Sequence, residues 1–336
     1  MNVNMFVLKK LGLLLPLTGQ IAHFGQDAKV ALDLAFKNEP VEIVLEDSLG
    51  TPQGSLQGIN RLILNSKVQA IIGDLSTSST LTSSPIAENS RISMITPSAT
   101  GDTISKNRKY IFQMSFTDSR QGKTLGSWAF TDMKAKTAIL LMDKESEYSQ
   151  NVATAFKKEF ISQSGKISAE LYYTHNQQDV VSLSSKILKL NPDILFIPGF
   201  PTEVAPFLKQ LQAYKGIILG ADGWHSPDLW QMAGNVTRTY YHSSQYFPDE
   251  SKPIVKAFIK DFKAQTGREP SSFAALSYDS GLYLKQALKS KNCSDTQTCL
   301  KNFKDFDGVT GRLNPDKLLL ILKVKNKKYE IVAQKN

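Results

Sequence analysis

Cysteine is scarce in this 336-residue chain: Cys293 and Cys299, six positions apart in NCSDTQTC, are the only two. With four scattered histidines (His23, His175, His225, His242) they cannot assemble a metal site of the usual ligand number, so no metal is expected. The cysteine pair suits a local disulfide if the protein is exported and two free thiols if it is not. Long apolar runs are missing too, and no stretch approaches the roughly 18 to 20 residues that span a bilayer. Residues 5–17, MFVLKKLGLLLPL, are interrupted by Lys9 and Lys10. A secretion signal carries its charges before the apolar run and a small-residue cleavage site after it. Neither holds here, and a buried first strand is expected instead.

Catalytic signatures are also lacking. The chain contains no HExxH, no GxSxG elbow, no Walker loop and no GxGxxG. The hydroxyl run from Ser76 to Ser79 would need a base oriented by a third group before any serine in it became a nucleophile. Nothing in the spacing brings a histidine there, so the chain is read as a non-enzyme without a cofactor. A formal net charge of +9 raises the question of nucleic acid. The lysines are spread over many helical stretches, however, and the densest group, Lys323, Lys325, Lys327 and Lys328, reads as a solvated β-hairpin turn. No basic stretch interleaved with aromatics supports a nucleic-acid partner.

What is present is an alternation. At this length two domains are expected, and the β-loop-α grammar occurs twice. It runs first through VLKKLGLLLPL, AKVALDLAFKN, VEIVLEDSLG, a helix from Pro52 to about Asn65, and VQAIIG. It resumes with TAILLMD, VATAFKKEFISQSG, KISAELYY, VVSLSSKILKLN, DILFIPG, VAPFLKQLQAYK and GIILGAD. This is the pattern of doubly wound parallel sheets, whose right-handed crossovers place every loop after a strand on one edge. The late helices KPIVKAFIKDFKAQTG and FAALSYDSGLYLKQALKS have no strands of their own and are expected to return to the first lobe. A strand pair, LLLILKVKNKKYEIV, closes the chain.

Residues 73–100 form the most informative stretch. Two hydroxyl-rich turns, Ser76 to Thr80 and Thr96 to Thr100, each follow an apolar strand. In open α/β sheets that edge gathers loop amides, hydroxyls and helix N-termini, which suit an anion such as a carboxylate. Thr77, Ser78, Ser98 and Thr100 are the candidate ligand groups; Ser79 and Thr80 are read as plain N-caps. The corresponding turns of the second lobe carry Tyr148, Phe200 and Asp222 with Trp224. A carboxylate among aromatics is a natural partner for an ammonium group. The competing reading has Asp222 capping a turn and Trp224 packing in a loop.

Together these segments resemble the periplasmic substrate-binding proteins of branched-chain and hydrophobic amino-acid ABC transporters, the Leu/Ile/Val-binding type with the type I periplasmic-binding fold. The resemblance is carried by LGLLLPLTGQIAHFGQ, IIGDLSTSST, MITPSAT, FTDSRQG, LMDKESEYSQN and DGVTGRL, in that order over nearly the whole chain. It implies two α/β lobes joined by a three-segment hinge, with residues 1–118 and 248–312 in one lobe and 119–247 and 313–336 in the other. It further implies a zwitterionic amino acid held in the cleft by Thr77, Ser78, Thr100 and mainly the backbone of Ser98. Phe24, in the turn after the first strand, would line the side-chain pocket. Tyr148, Phe200 and Asp222 would close from the second lobe, with Asp222 meeting the ammonium and Trp224 narrowing the pocket. Phe24 and Phe200 stand where the family often has tyrosine, which removes hydroxyls and makes the implied pocket more apolar; Asp222 stands where it often has glutamate, and its shorter reach implies a shifted ligand or a different amino acid. The implied partner is a membrane ABC permease, the implied state a monomer, and the implied location periplasmic or otherwise extracytoplasmic, with a signal or lipid anchor removed. Penicillin-binding-protein activators and receptor-like sensors share this fold, so an envelope regulator is the alternative.

Overall fold

The computed structural model describes residues 7–174, 179–234, 238–290, 293–313 and 317–335. His175, Asn292 and residues 5–6, named above, lie outside these. The chain divides into two compact units, Met1–Ser115 with Tyr246–Lys317, and Phe116–Gln245 with Leu318–Asn336. It therefore passes from one unit to the other three times.

The first unit opens with strand β1 (Lys10–Leu15), helix α1 (Ala22–Ala35), β2 (Glu42–Asp47) and α2 (Pro52–Asn60), which runs on as a π turn over Arg61–Asn65. Strand β3 (Ala70–Gly73), helix α3 (Thr77–Asn89), β4 (Ser93–Thr96) and β5 (Ile111–Gln113) follow. The five strands lie in the order β2-β1-β3-β4-β5, all parallel. Every residue of β1 after Lys10 is buried, as expected of a strand covered on both faces. That is why KLGLLL is almost uninterruptedly apolar. Helix α2 starts where Thr51 Oγ1 accepts from Gly54 N (3.1 Å) with proline in the first helical position, a compatible pairing of cap and N1 residue.

The second unit runs α4 (Asp118–Thr131), β6 (Thr137–Asp143), α5 (Glu147–Ser162), β7 (Lys166–Tyr173), α6 (Val180–Leu190), β8 (Ile194–Ile197) and α7 (Pro201–Gln210). Then come β9 (Ile217–Gly220), a 3₁₀ turn (Asp222–Trp224), α8 (Pro227–Ala233) and β10 (Tyr240–Ser244). One face of its sheet packs Leu125, Trp128, Val152 and Phe156 from α4 and α5. The other packs Ile187, Val204, Phe207 and Leu229 from α6, α7 and α8.

The chain then returns to the first unit. Helices α9 (Pro253–Thr266) and α10 (Ser272–Leu288) join α1 over one face of the sheet, packing Phe258, Phe262 and Ala274 around Ala31. The opposite face carries Ile59 and Leu62 against Leu14, Ile71 and Met94. Helix α11 (Thr296–Asn302) begins inside a Cys293–Cys299 disulfide. Strands β11 (Asp307–Gly308) and β12 (Gly311–Arg312) make a small hairpin from the DGVTGRL segment. Its turn is held by buried Asp279, which accepts from Val309 N (2.8 Å) and Thr310 N (2.7 Å).

The last strands, β13 (Leu319–Lys325) and β14 (Lys328–Lys335), complete the second sheet in the order β14-β13-β10-β9-β8-β6-β7. This sheet is parallel except at that edge, where β13 pairs antiparallel with β10 and β14 antiparallel with β13. The reason is local. Asn326 and Lys327 both have positive φ (51° and 61°), giving a two-residue hairpin turn that can only reverse the chain. Among the described residues, no helix is long and apolar enough to cross a membrane.

Candidate ligand-binding site

In the first unit the candidate groups follow the adjacent strands β1, β3 and β4. Strand β3 ends at Gly73, whose φ is +135°; a Cβ there would lie 2.0 Å from Leu14 O, so only glycine lets the chain leave the strand so close to β1. Beyond it, the two hydroxyl turns are stitched into one body. Asp74 O accepts from Thr80 Oγ1 (3.1 Å) and Thr96 Oγ1 (2.8 Å), Ser98 Oγ donates to Leu75 O (2.8 Å), and Thr100 N donates to Thr77 Oγ1 (3.3 Å). Ser98 therefore spends its hydroxyl on the loop, and its amide is what it can offer outward. Ser78 is the most exposed of the four candidates. The amides of Thr77 and Ser78 are the first two of α3, and helix geometry leaves them without an intrahelical acceptor.

The capping assignment needs correction. Ser76 caps α3: its backbone is extended and its Oγ accepts from Ser79 N (3.4 Å). Ser79 and Thr80 belong to the first helical turn, with Thr80 bonded to Asp74 O and Ser79 Oγ buried without a hydrogen-bond partner. Directly beneath lies Asp74, fully buried. Its Oδ1 accepts from Leu75 N (2.6 Å), its Oδ2 has no partner, and burial pushes its carboxyl up to about 6. Phe24 is not in a turn but in α1, which begins at Ala22. It is fully buried, and its ring stacks on Phe273 at the start of α10 (3.9 Å, 23°). Phe273 escaped sequence reasoning because nothing in a helix-spaced pattern says which element its first turn meets.

In the second unit the structure brings Tyr148, Phe200 and Asp222 together. They follow β6, β8 and β9, which are neighbours in the sheet. Ser146 caps α5 by accepting from Ser149 N, which puts Tyr148 in the first helical turn. Phe200 precedes α7, its amide bonded to Glu203 Oε2 (3.0 Å). Asp222 opens the 3₁₀ turn after β9. Tyr148 Oη donates to Asp222 Oδ1 (2.7 Å) and accepts from Gly223 N (3.0 Å), while Phe200 stacks on the Tyr148 ring (5.4 Å).

Two further groups, invisible at the level of motifs, complete this arrangement. Gln245 Nε2 donates to Asp222 Oδ2 (3.1 Å), and Gln121 Oε1 accepts from Asp222 N (2.9 Å). Burial raises the Asp222 carboxyl above the ordinary aspartate range, opposed by its hydrogen bonds to Tyr148, Gln121 and Gln245. Burial, with the Asp222 charge next to it, holds the Tyr148 phenol well above its usual value, so it stays a donor. Asp222 thus does more than cap a turn.

Trp224 does not join them. It is fully buried in the core with Val204, Leu229 and Tyr240, and its Nε1 donates to Ile197 O (3.0 Å). The expectation that it narrows a ligand pocket is corrected: its large apolar ring is core of the second unit. A separate cavity of about 410 Å³ on this unit, lined by Arg120, Lys123, Trp128 and Lys335 among others, includes none of the candidate ligand residues.

Each unit thus carries a polar cluster at the carboxyl ends of its parallel strands, one rich in helix-terminal hydroxyls and one built on a buried carboxylate. A sequence model described as "Periplasmic binding protein" matches residues 9–316, and the chain belongs to that family. A leucine-, isoleucine-, valine-, threonine- and alanine-binding protein of Pseudomonas aeruginosa is 24% identical over 322 residues, 91% of this chain and 85% of its own length. Among solved structures, the leucine binding protein LivK of Thermotoga maritima superposes with a TM-score of 0.90 at 27% identity, covering 98% of this chain and 99% of that one. The branched-chain amino acid transporter substrate binding protein LivJ of Streptococcus pneumoniae, in complex with isoleucine, gives 0.88 at 25% identity with the same coverage. The fold is that of type I periplasmic-binding proteins. By family, such proteins bind small molecules, work with ABC transporters and act outside the cytoplasm.

Proposed function

We propose that this protein captures a zwitterionic amino acid with an apolar side chain and delivers it to an ABC permease, without chemical turnover. The observation that carries the reading is the opposite charge preference of the two half-sites. The N-terminus of α3 offers unpaired amides, hydroxyls and the positive end of a helix dipole to a carboxylate. Asp222 offers a buried carboxylate to an ammonium group. Its oxygens already accept from Tyr148 and Gln245, yet an ionised carboxylate has about four lone-pair positions and retains room for a further donor. Phe200, and Phe273 on which the fully buried Phe24 stacks, supply apolar rings without hydroxyls, which favours aliphatic or aromatic side chains over polar ones. In this reading each lobe holds one end of the ligand, and hinge closure around it is the form the permease accepts. The protein acts as a periplasmic or otherwise extracytoplasmic monomer and has no nucleic-acid partner.

The test is calorimetry of wild type and Asp222→Ala against a panel of amino acids and ammonium-free acids such as benzoate. Truncating one partner of a buried charge pair costs about 2–5 kcal/mol, a loss of roughly thirtyfold or more. Asp222→Ala is expected to lose amino-acid binding while keeping its cooperative unfolding transition. Unchanged affinity in the variant sinks the assignment of Asp222. Tight binding of benzoate by wild type, with none of any amino acid, sinks the amino-acid reading. No saturable ligand at all, with an envelope protein co-purifying, points to a regulator.

A further inference from the structure

We propose that Gln245 is the positioning residue of this site, an uncharged adaptor that aims the Asp222 carboxylate by tying it to both ends of the second unit's main segment. The inference rests on the ligand reading above and goes one step further. Gln245 is the last residue of that segment and Phe116 is the first. Gln245 is buried, its Oε1 accepts from Phe116 N (3.0 Å), and its Nε2 donates to Asp222 Oδ2 (3.1 Å). One amide therefore joins two distant points of the backbone and the carboxylate expected to meet the ligand.

The orientation of that amide is not free. Phe116 N can be met only by an acceptor, which turns the NH₂ toward Asp222. A flipped amide would set donor against donor at one end and acceptor against acceptor at the other. The ionised side chains and asparagine do not supply both ends at this reach. Ionised glutamate accepts but does not donate, lysine and arginine donate but do not accept, and asparagine is a methylene shorter. The other oxygen of Asp222 is held by Tyr148 and its backbone amide by Gln121, which also accepts from Ser243 Oγ (2.7 Å). With both oxygens held, the carboxylate cannot rotate, and an arriving ammonium meets a group that needs no ordering.

The test uses Gln245→Leu and Gln245→Glu in the full chain, with two readouts. The first needs no ligand: ¹³C-NMR titration of the Asp222 carboxyl. Loss of a neutral donor raises its midpoint by about half a pH unit or more, and a facing carboxyl raises it further. The second is calorimetry with leucine in buffers of different ionisation enthalpy. Gln245→Leu is expected to bind leucine about tenfold or more weakly. Gln245→Glu, in which two facing carboxyls share a proton, is expected to release up to about one proton more on binding than wild type does. Gln245→Glu keeps the acceptor for Phe116 N, so it serves where the leucine variant fails to fold. An Asp222 midpoint unchanged in the variants overturns the proposal whether or not leucine binds. A shifted midpoint with no leucine binding by wild type supports the role of Gln245 at Asp222 and refutes only the amino-acid reading.

Discussion

Replacing Asp74 by asparagine should make the first unit more stable at neutral pH, although it removes a charged group next to the candidate ligand turns. Asp74 is fully buried, its Oδ1 accepts from Leu75 N, and burial pushes its carboxyl up from 3.8 to about 6 against the opposing Ser48 and Ser55 hydroxyls. The sign follows from proton binding. Between pH 3.8 and 6 the native state holds a proton that the unfolded chain has released, so stability falls as pH rises through that window. At 1.36 kcal/mol per pH unit the gap is worth about 3 kcal/mol, lost in full above pH 6. In Asp74→Asn the amide oxygen still accepts from Leu75 N, and no charge has to be buried. The variant should gain up to about 3 kcal/mol over wild type at pH 7.5 and nothing at pH 3.5. Hydrogen exchange of peptides spanning β3 and β4 reads this directly, as up to about a hundredfold more protection at pH 7.5 once intrinsic rates are divided out. Equal protection at pH 7.5, or a gain that persists undiminished at pH 3.5, would refute the reasoning.

The second unit should respond to acid in the opposite sense. His242 is buried with its Nδ1 donating to Ser243 O (2.8 Å), and burial pushes it down to about 4. Its neighbour His225 is held well below its usual value by burial and by His242. Unfolded histidines take up protons near pH 6.5, so these histidines destabilise the second unit as pH falls from 6.5 to 4, by about 3 kcal/mol from His242 alone, opposed by the raised Asp222 carboxyl. All three tryptophans, Trp128, Trp224 and Trp230, lie in this unit, so urea titrations followed by tryptophan fluorescence report it selectively. A midpoint that stays constant from pH 7 to pH 4 contradicts the expectation. Reducing Cys293–Cys299, which spans a sequence separation of 6, should destabilise the α11 region by about 2 kcal/mol on the chain-entropy account. Unchanged protection of α11 amides in a sample with two verified free thiols would count against it.

Much of this architecture was legible because it is periodic. Apolar runs such as TAILLMD and helix-spaced faces such as Leu56, Ile59, Leu62 and Ile63 repeat within a few residues, and the strands and helices fall where those repeats lie. The closing hairpin was legible for another reason, the lysine-rich polar break at Lys325 to Lys328 between two strand-like runs. Boundaries were less so. α1 and α5 start earlier than the apolar pattern suggests, at the N-caps Ile21 and Ser146, and this carries Phe24 and Tyr148 out of turns into helical first turns. Trp224 was misjudged because sequence gives no sign of the face on which a turn residue falls, and here a ring that large fills the core. Gln245, Gln121, Phe273 and Asp279 went unnoticed for a different cause. Gln245 meets Phe116 across 129 positions and Gln121 meets Asp222 across 101, and no local spacing encodes such pairs.

The interleaving of the two units also governs how the chain is made. The first sheet is finished by Gln113, but the helices α9 and α10 that cover its α1 face come after Tyr246. On the ribosome, some 130 residues must be added in between, roughly 7 to 25 seconds at ordinary elongation rates. Through that interval Ala31 and its apolar neighbours wait for Phe258, Phe262 and Ala274. Meanwhile the second sheet, all but its last two strands, emerges and can fold. The nascent chain therefore emits most of its second unit before the first is covered, and holds an uncovered sheet face while it does so. A chaperone that binds extended apolar segments would find its substrate there, at the beginning of the chain rather than at its growing end.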